Sequence, residues 1–211
     1  MIKFLIVDDH YVFRQGVKKI ISDAFEQVSF GEANDSADAL AKLRKEGWDL
    51  VILDINLPGR SGLDLILDAK AFNIPVPILV LSMFNEDQMA LRAIKAGAQG
   101  YLAKALAAEN LTGAILRILD GNQYISETVA GLLADEYRKK TNGNVIKELS
   151  DREYFVLLRL ASGESVTEIS RTLALSVKTI STYNSRILKK LGLKNTMQLM
   201  QFVKDNKLGI D

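Results

Sequence analysis

Cysteine is missing from all 211 residues. The chain therefore has no disulfide scaffold, no thiolate metal site and no cysteine nucleophile, and it suits a reducing compartment. A single histidine, His10, excludes a multi-histidine metal site. Three prolines and 14 glycines are too few for a collagen-like chain, and 48% hydrophobic residues are too many for a disordered one. Long apolar runs are also missing. The longest without a charge, residues 74–84, is too short to span a bilayer and contains Pro75 and Pro77. The opening MIKFLIVDDH turns acidic where the apolar core of a signal peptide would continue. These absences predict a soluble, cytoplasmic protein of one or two domains.

An overall excess of one charge is absent too, with 27 Lys and Arg against 26 Asp and Glu. The distribution is nevertheless uneven. Residues 1–124 carry 13 basic and 16 acidic side chains, residues 125–144 three of each, and residues 145–211 eleven basic and seven acidic. An acidic first part and a basic last part predict two modules with different partners, nucleic acid being a candidate for the second.

Short apolar runs at 4–7, 28–31, 50–53, 78–81 and 100–102 alternate with amphipathic stretches at 11–24, 36–46, 62–72, 86–96 and 108–120. In the second stretch Ala39, Leu40 and Leu43 share one face and charges occupy the other. Strands alternating with helices predict an α/β fold, a flavodoxin-like doubly wound sheet of five parallel strands in the order 2-1-3-4-5. After Asp120 the strand pattern stops. A helix is expected over 126–140, and Thr141-Asn142-Gly143-Asn144 is the best linker candidate. Capping-box spacings at Ser150/Glu153, Ser165/Glu168 and Asn195/Gln198, with Ser176 as a further cap, predict four short helices over 151–162, 166–173, 177–190 and 196–206. The expected boundaries are 1–124, a connector at 125–145, and a small all-α domain of four helices at 146–211.

In a doubly wound sheet, chemistry gathers at the carboxyl ends of the strands. Strand one ends in Asp8-Asp9, strand three in Asp54, strand four in Ser82, and strand five runs into Lys104. Converging carboxylates repel, and a divalent cation such as Mg²⁺ relieves that repulsion while keeping room for phosphate oxygens. Lys104 and the Ser82 hydroxyl supply the charge and donor that an anionic group on Asp54 needs. The set reads as a phosphoryl-transfer site with a carboxylate nucleophile.

Those residues carry a resemblance. With Leu53-Asp54-Ile55-Asn56-Leu57-Pro58-Gly59 and Gly100-Tyr101-Leu102-x-Lys104, residues 1–121 resemble the receiver domain of two-component response regulators. The resemblance implies that Asp54 is the phosphoacceptor. It implies that Asp9 binds Mg²⁺ directly and Asp8 mostly through water, with Asp54 and the Asn56 carbonyl as further ligands. Ser82 and Tyr101 would be the switch pair, with Lys104 on the phosphoryl group. Most receivers have proline after that lysine; Ala105 stands here, as is usual in the NarL/FixJ subgroup, and no cis-proline is expected. His10 falls where receivers carry a polar, solvent-facing residue. Met83 and Phe84, with Asn56, would border the phosphoryl group and could hinder an in-line water. The chain has no histidine-kinase motif, so the phosphodonor is expected to be a separate sensor histidine kinase.

Residues 148–206 resemble the LuxR-type helix-turn-helix domain, through Leu149-Ser150-x-Arg152-Glu153, Glu168-Ile169-Ser170, Thr179-Ile180-Ser181-x-Tyr183 and Ile187-x-x-Lys190-Leu191. Over 177–190 Ile180, Tyr183, Ile187 and Leu191 recur on one face, and Lys178, Thr182, Ser185 and Lys189 on the other. Such a helix fits major-groove entry into double-stranded DNA. Ser181, Thr182 and Ser185 are expected near base edges, and Lys178, Thr179, Arg186, Lys189 and Lys190 at phosphates. The family often has lysine at 181 and histidine at 183, where this chain has serine and tyrosine. The whole resembles a NarL/FixJ-family transcription regulator that is not an enzyme, dimerises on phosphorylation and touches no membrane. One rival is a phosphohydrolase of the haloacid dehalogenase type, which usually carries a second Asp where Asn56 stands. Another is a phosphorylation-independent DNA-binding protein whose first domain only dimerises.

Overall fold

The structure is a computed structural model and describes residues 1–83, 87–138, 148–206 and 208. The five apolar runs form strands β1 (Ile2–Val7), β2 (Val28–Ala33), β3 (Leu50–Asp54), β4 (Ile78–Ser82) and β5 (Gly100–Ala103). All pair in parallel, in the order β2-β1-β3-β4-β5. β3, β4 and β5 are buried at every residue, whereas β2, at the edge, is mostly half-buried. Full burial is why the inner strands read as unbroken apolar runs rather than alternating ones.

Between the strands lie α1 (Tyr11–Ala24), α2 (Ser36–Lys45), α3 (Gly62–Ala71) and α4 (Asp87–Ala96). A short 3-10 helix, Lys104–Leu106, and α5 (Ala107–Leu119) follow β5. Phe4, Ile6, Leu50, Ile52, Leu79 and Leu81 pack with Val17 and Ile21 of α1 and Leu111, Ile115 and Ile118 of α5. Their strand neighbours Leu5, Val7, Val51, Leu53 and Val80 are equally buried and face the opposite side. There α2 packs on α3, and α3 on α4.

The register brings the strand ends together. Val7 pairs with Leu53, Asp54 with Leu81, and Ser82 with Ala103. Asp8, Asp54, Ser82 and Lys104 therefore emerge side by side from four adjacent strands.

A feature absent from the sequence reading lies just beyond α5. Tyr124 bridges to Gly100 as a one-residue sixth strand. Its N–H donates to the Gln99 carbonyl at 2.9 Å, and its carbonyl accepts from the Tyr101 N–H at 3.0 Å. A Cβ on Gly100 would lie 3.2 Å from the Tyr124 Cβ, 2.8 Å from Ile118 Cδ1 and 2.9 Å from Leu79 Cδ1, so glycine lets the bridge approach without shifting those side chains. The following helix, α6 (Glu127–Arg138), is capped by the Ser126 hydroxyl, which accepts from the Val129 N–H at 3.2 Å. Ser126 Oγ also donates to Asp87 at the start of α4 (3.3 Å). The linker candidate at 141–144 lies outside the described residues.

The contacts divide the chain into Met1–Ala130 and Gly131–Asp211. In the second unit α7 (Asp151–Ala161), α8 (Val166–Thr172), α9 (Val177–Leu191) and α10 (Thr196–Asp205) match the four expected helices to within a residue or two. Ser150/Glu153 and Ser165/Glu168 form reciprocal capping boxes. Asn195 caps α10 through the Gln198 N–H, but Gln198 returns its bond to the Lys194 N–H, one residue earlier than a capping box requires. Tyr154, Leu157, Ile169, Leu173, Ile180, Ile187 and Leu199 are fully buried. The turn from α8 to α9 passes through Ala174 at φ 50°, a left-handed conformation that glycine adopts more readily.

Candidate functional site

Asp8, Asp54, Ser82 and Asn56 are all buried where β1, β3 and β4 end. Lys104, 50 and 96 residues away from its two partners, places Nζ 2.6 Å from Asp54 Oδ2 and 2.6 Å from Asp8 Oδ2. Asp54 Oδ1 accepts the Asn56 N–H at 2.9 Å, which turns the chain sharply after β3. Gly62 follows the Ser61 cap of α3 and donates its N–H to the Ile55 carbonyl (3.1 Å). A Cβ there would lie 2.6 Å from the Asp54 carbonyl oxygen, so glycine is required for α3 to start against the acidic loop.

Carboxylate oxygens of Asp8, Asp9 and Asp54 and a ring nitrogen of His10 all lie within 4.8 Å of one another. Asp9 is the more exposed acid. His10 is open to solvent, as expected, yet it is not idle. Its N–H donates to Asp8 Oδ1 at 2.7 Å, and Nδ1 lies 2.9 Å from Asp9 Oδ1. Burial pushes the Asp54 carboxyl up, with the Asp8 charge adding to it and Lys104 opposing. Burial also works against the Lys104 ammonium, but Asp54 and Asp8 outweigh it and hold the lysine above its ordinary value. Asn56 brings a second unbalanced group: neither atom of its buried side-chain amide has a hydrogen-bond partner. Tyr101 is buried on β5, two strands from Asp54, and Met83 stands out into solvent at 68% exposure. Phe84 lies outside the described residues.

Behind the acids sits a basic brace that the sequence reading missed. The buried Arg14 of α1 donates from Nη1 to the Asp8 carbonyl (2.7 Å) and from Nε to Glu32 (2.8 Å). Lys18 reaches the same Glu32 carboxylate at 2.5 Å, and Lys42 the Glu32 carbonyl. Hydrogen bonds from Arg14 and Lys18 lower the Glu32 carboxyl to about 2. A spacing of four between Arg14 and Lys18 was visible in the sequence; that β2 would deliver Glu32 beside them was not.

In the second unit, Lys178, Ser181, Thr182, Ser185, Arg186 and Lys189 of α9 are exposed and Thr179 is half-buried. Ile180 and Ile187 point inward, as expected, but Tyr183 is only half-buried. With Lys178, Thr179, Thr182 and Arg186 it lines an open groove. The Thr182 and Ser185 hydroxyls donate to the carbonyls of Lys178 and Ser181 one turn back (2.9 and 3.0 Å), leaving their oxygens outward as acceptors. Lys190, also exposed, has its ammonium 2.6 Å from Glu153 and 2.9 Å from the Glu148 carbonyl, tying α9 to the start of α7. Burial raises Glu153, but Lys190 and Ser150 outweigh it, and the carboxyl is held below its ordinary value.

An acidic pocket with a buried lysine at the mouth of a five-stranded parallel sheet, followed by a capped helix-turn-helix unit, is the architecture of a two-part DNA-binding regulator. Residues 4–116 match the response regulator receiver domain, and residues 147–203 match the bacterial regulatory proteins of the luxR family. The chain belongs to the two-component response regulators, in the NarL/FixJ group that joins these two parts. The response regulator UvrY of Escherichia coli is 32% identical over 200 residues, covering 94% of this chain and 92% of that relative. The response regulator GacA of Pseudomonas aeruginosa is also 32% identical over 200 residues, with 94% of each chain covered. Among solved structures, RcsB from Salmonella enterica serovar Typhimurium, bound to a promoter in the presence of phosphomimetic BeF₃⁻, is similar with a TM-score of 0.64. It is 28% identical, and 97% of this chain and 99% of that one are covered. Among the described residues, no helix is long and apolar enough to cross a membrane.

Proposed function

We propose that Asp54 accepts a phosphoryl group from a sensor histidine kinase and that this event controls DNA binding by α9. The observation that carries the reading is the Lys104 ammonium held between Asp8 and Asp54 at 2.6 Å each. One Asp54 carboxylate oxygen attacks phosphorus. A P–O bond forms as the donor's P–N bond breaks, and the imidazole leaves with the bonding pair. The donor set fits an oxygen-preferring divalent cation: Asp8, Asp9 and Asp54 crowd within 4.8 Å, and Asp54 is raised by burial and by Asp8. Asp9 directly, Asp8 through water, Asp54 and the Asn56 carbonyl would hold Mg²⁺, which neutralises the oxygens of the transferring group. The unpartnered Asn56 amide is a further polar group that an incoming oxygen can satisfy.

The phosphoryl group adds about −1.5 to −2 of charge. Lys104 and Ser82 then turn to it, and Tyr101 follows Ser82 as the switch. The functional division runs 1–124, 125–145 and 146–211. Ser181, Thr182 and Ser185 contact base edges, and Lys178, Thr179, Arg186 and Lys189 contact phosphates of double-stranded DNA. Lys190, engaged with Glu153, holds α9 in place instead. The phosphorylated protein works as a homodimer in the cytoplasm, and the phosphoacceptor role makes it a substrate of the kinase rather than an enzyme. Asn56, at the position where the rival phosphohydrolases carry their second Asp, leaves that rival without an acid.

Phosphotransfer followed by intact mass tests the site. A single phosphoryl group is expected, lost in Asp54→Ala and on chelation of Mg²⁺. Labelling that survives either treatment contradicts the assignment.

A further inference from the structure

We infer that Phe13 is a positioning residue for the phosphoryl pocket, through the face of its ring. Phe13 belongs to α1, is half-buried, and packs on the core beneath the pocket. The Lys104 ammonium lies over its ring, 4.4 Å from the centroid. A cation at that distance is attracted by the ring's negative face, more strongly where water is excluded. The lysine side chain is only 5% exposed, so water does little for its charge.

The contact matters because the other partners of Lys104 are committed elsewhere. Its two close anions, Asp8 and Asp54, are the same groups that the Mg²⁺ reading assigns to the metal. A divalent cation competes for those oxygens and repels the ammonium. Among the described residues, the aromatic face is the partner of Lys104 that a hydrated Mg²⁺ does not contest. Phe13 holds the Lys104 side chain inside the pocket after the carboxylates turn to the metal, ready for the phosphoryl oxygen. Leucine would fill much of the same volume without that face.

This inference rests on the phosphoacceptor reading, and one experiment separates the two. Full-length protein with isotope-labelled lysine is followed by NMR, and beryllofluoride binding at saturating Mg²⁺ is titrated. In the wild type, Lys104 side-chain resonances should be shifted upfield by the ring both without metal and with Mg²⁺. Phe13→Leu should abolish that shift and weaken beryllofluoride binding roughly threefold or more, a modest cation–π effect. Phe13→Tyr should restore both. Wild-type resonances that lose the ring shift when Mg²⁺ is added overturn the inference even if Phe13→Leu does not fold. Equal beryllofluoride affinity in wild type and a folded Phe13→Leu overturns it too. A wild type that binds no beryllofluoride at all removes the phosphoacceptor reading, and the inference with it.

Discussion

Asp54 is buried beside another carboxylate, a position that an isolated acid would leave by taking up a proton. Lys104 keeps the pair compatible with folding, and Gly62 allows the loop behind it to close. Gly62→Ala should therefore cost about 1–3 kcal/mol in a urea melt, because the clash is with backbone that has no rotamer to yield. It should also slow phosphorylation of Asp54, whose carbonyl is the atom struck. Glu32 gives a pH test of the brace. Its folded pKa, about 2, lies below the ordinary 4.5. The stabilisation is thus complete above about pH 4.5 and is lost as pH falls toward 2. Glu32→Gln should be less stable than wild type near neutrality by roughly 1 kcal/mol, discounted because the carboxylate is partly exposed. The two melts should converge in acid. The acids and lysine of the pocket were legible because each directly ends or follows an apolar run. Arg14, Phe13 and the Lys190–Glu153 pair were not, since each acquires its role from an element far along the chain.

At the scale of elements, the apolar runs and caps located most strands and helices, because inner parallel strands are buried on both faces and helix starts carry their own side-chain signals. The Tyr124 bridge escaped that reading: a single residue pairing with β5 has no period to detect. The 3-10 turn at Lys104–Leu106, at three residues, is also too short to show a period. The turn between α8 and α9 was expected, but its left-handed Ala174 was not, since alanine advertises helix rather than turn. Ala174→Gly should stabilise the DNA-binding unit by about 0.5–1 kcal/mol, read by thermal melting, as the removed strain exceeds the added chain entropy. Ser150→Ala should cost about 1 kcal/mol, because it leaves the Glu153 N–H without its 3.2 Å acceptor.

For the whole molecule, the acidic first part and basic last part divide the labour in the proposed function: the first would take the metal and phosphoryl group, the second the DNA polyanion. DNA affinity should fall linearly in log–log with salt, and removing Lys178 or Lys189 should shallow that slope by about one each. Lys190→Ala should instead lower the melting temperature, since it leaves Glu153 buried without its cation. Which DNA sequence is read was never legible, because hydroxyls such as those at 181, 182 and 185 discriminate bases less sharply than a bidentate arginine does. The central claim is that phosphorylation of Asp54 controls what α9 does. It is tested by the affinity of full-length protein for one operator, with and without phosphodonor and Mg²⁺, in wild type and Asp54→Ala. The account predicts that wild type tightens by about tenfold or more on phosphorylation, within the usual range of coupling between sites, and that Asp54→Ala does not respond. Unphosphorylated wild type binding as tightly as the phosphorylated form would contradict it.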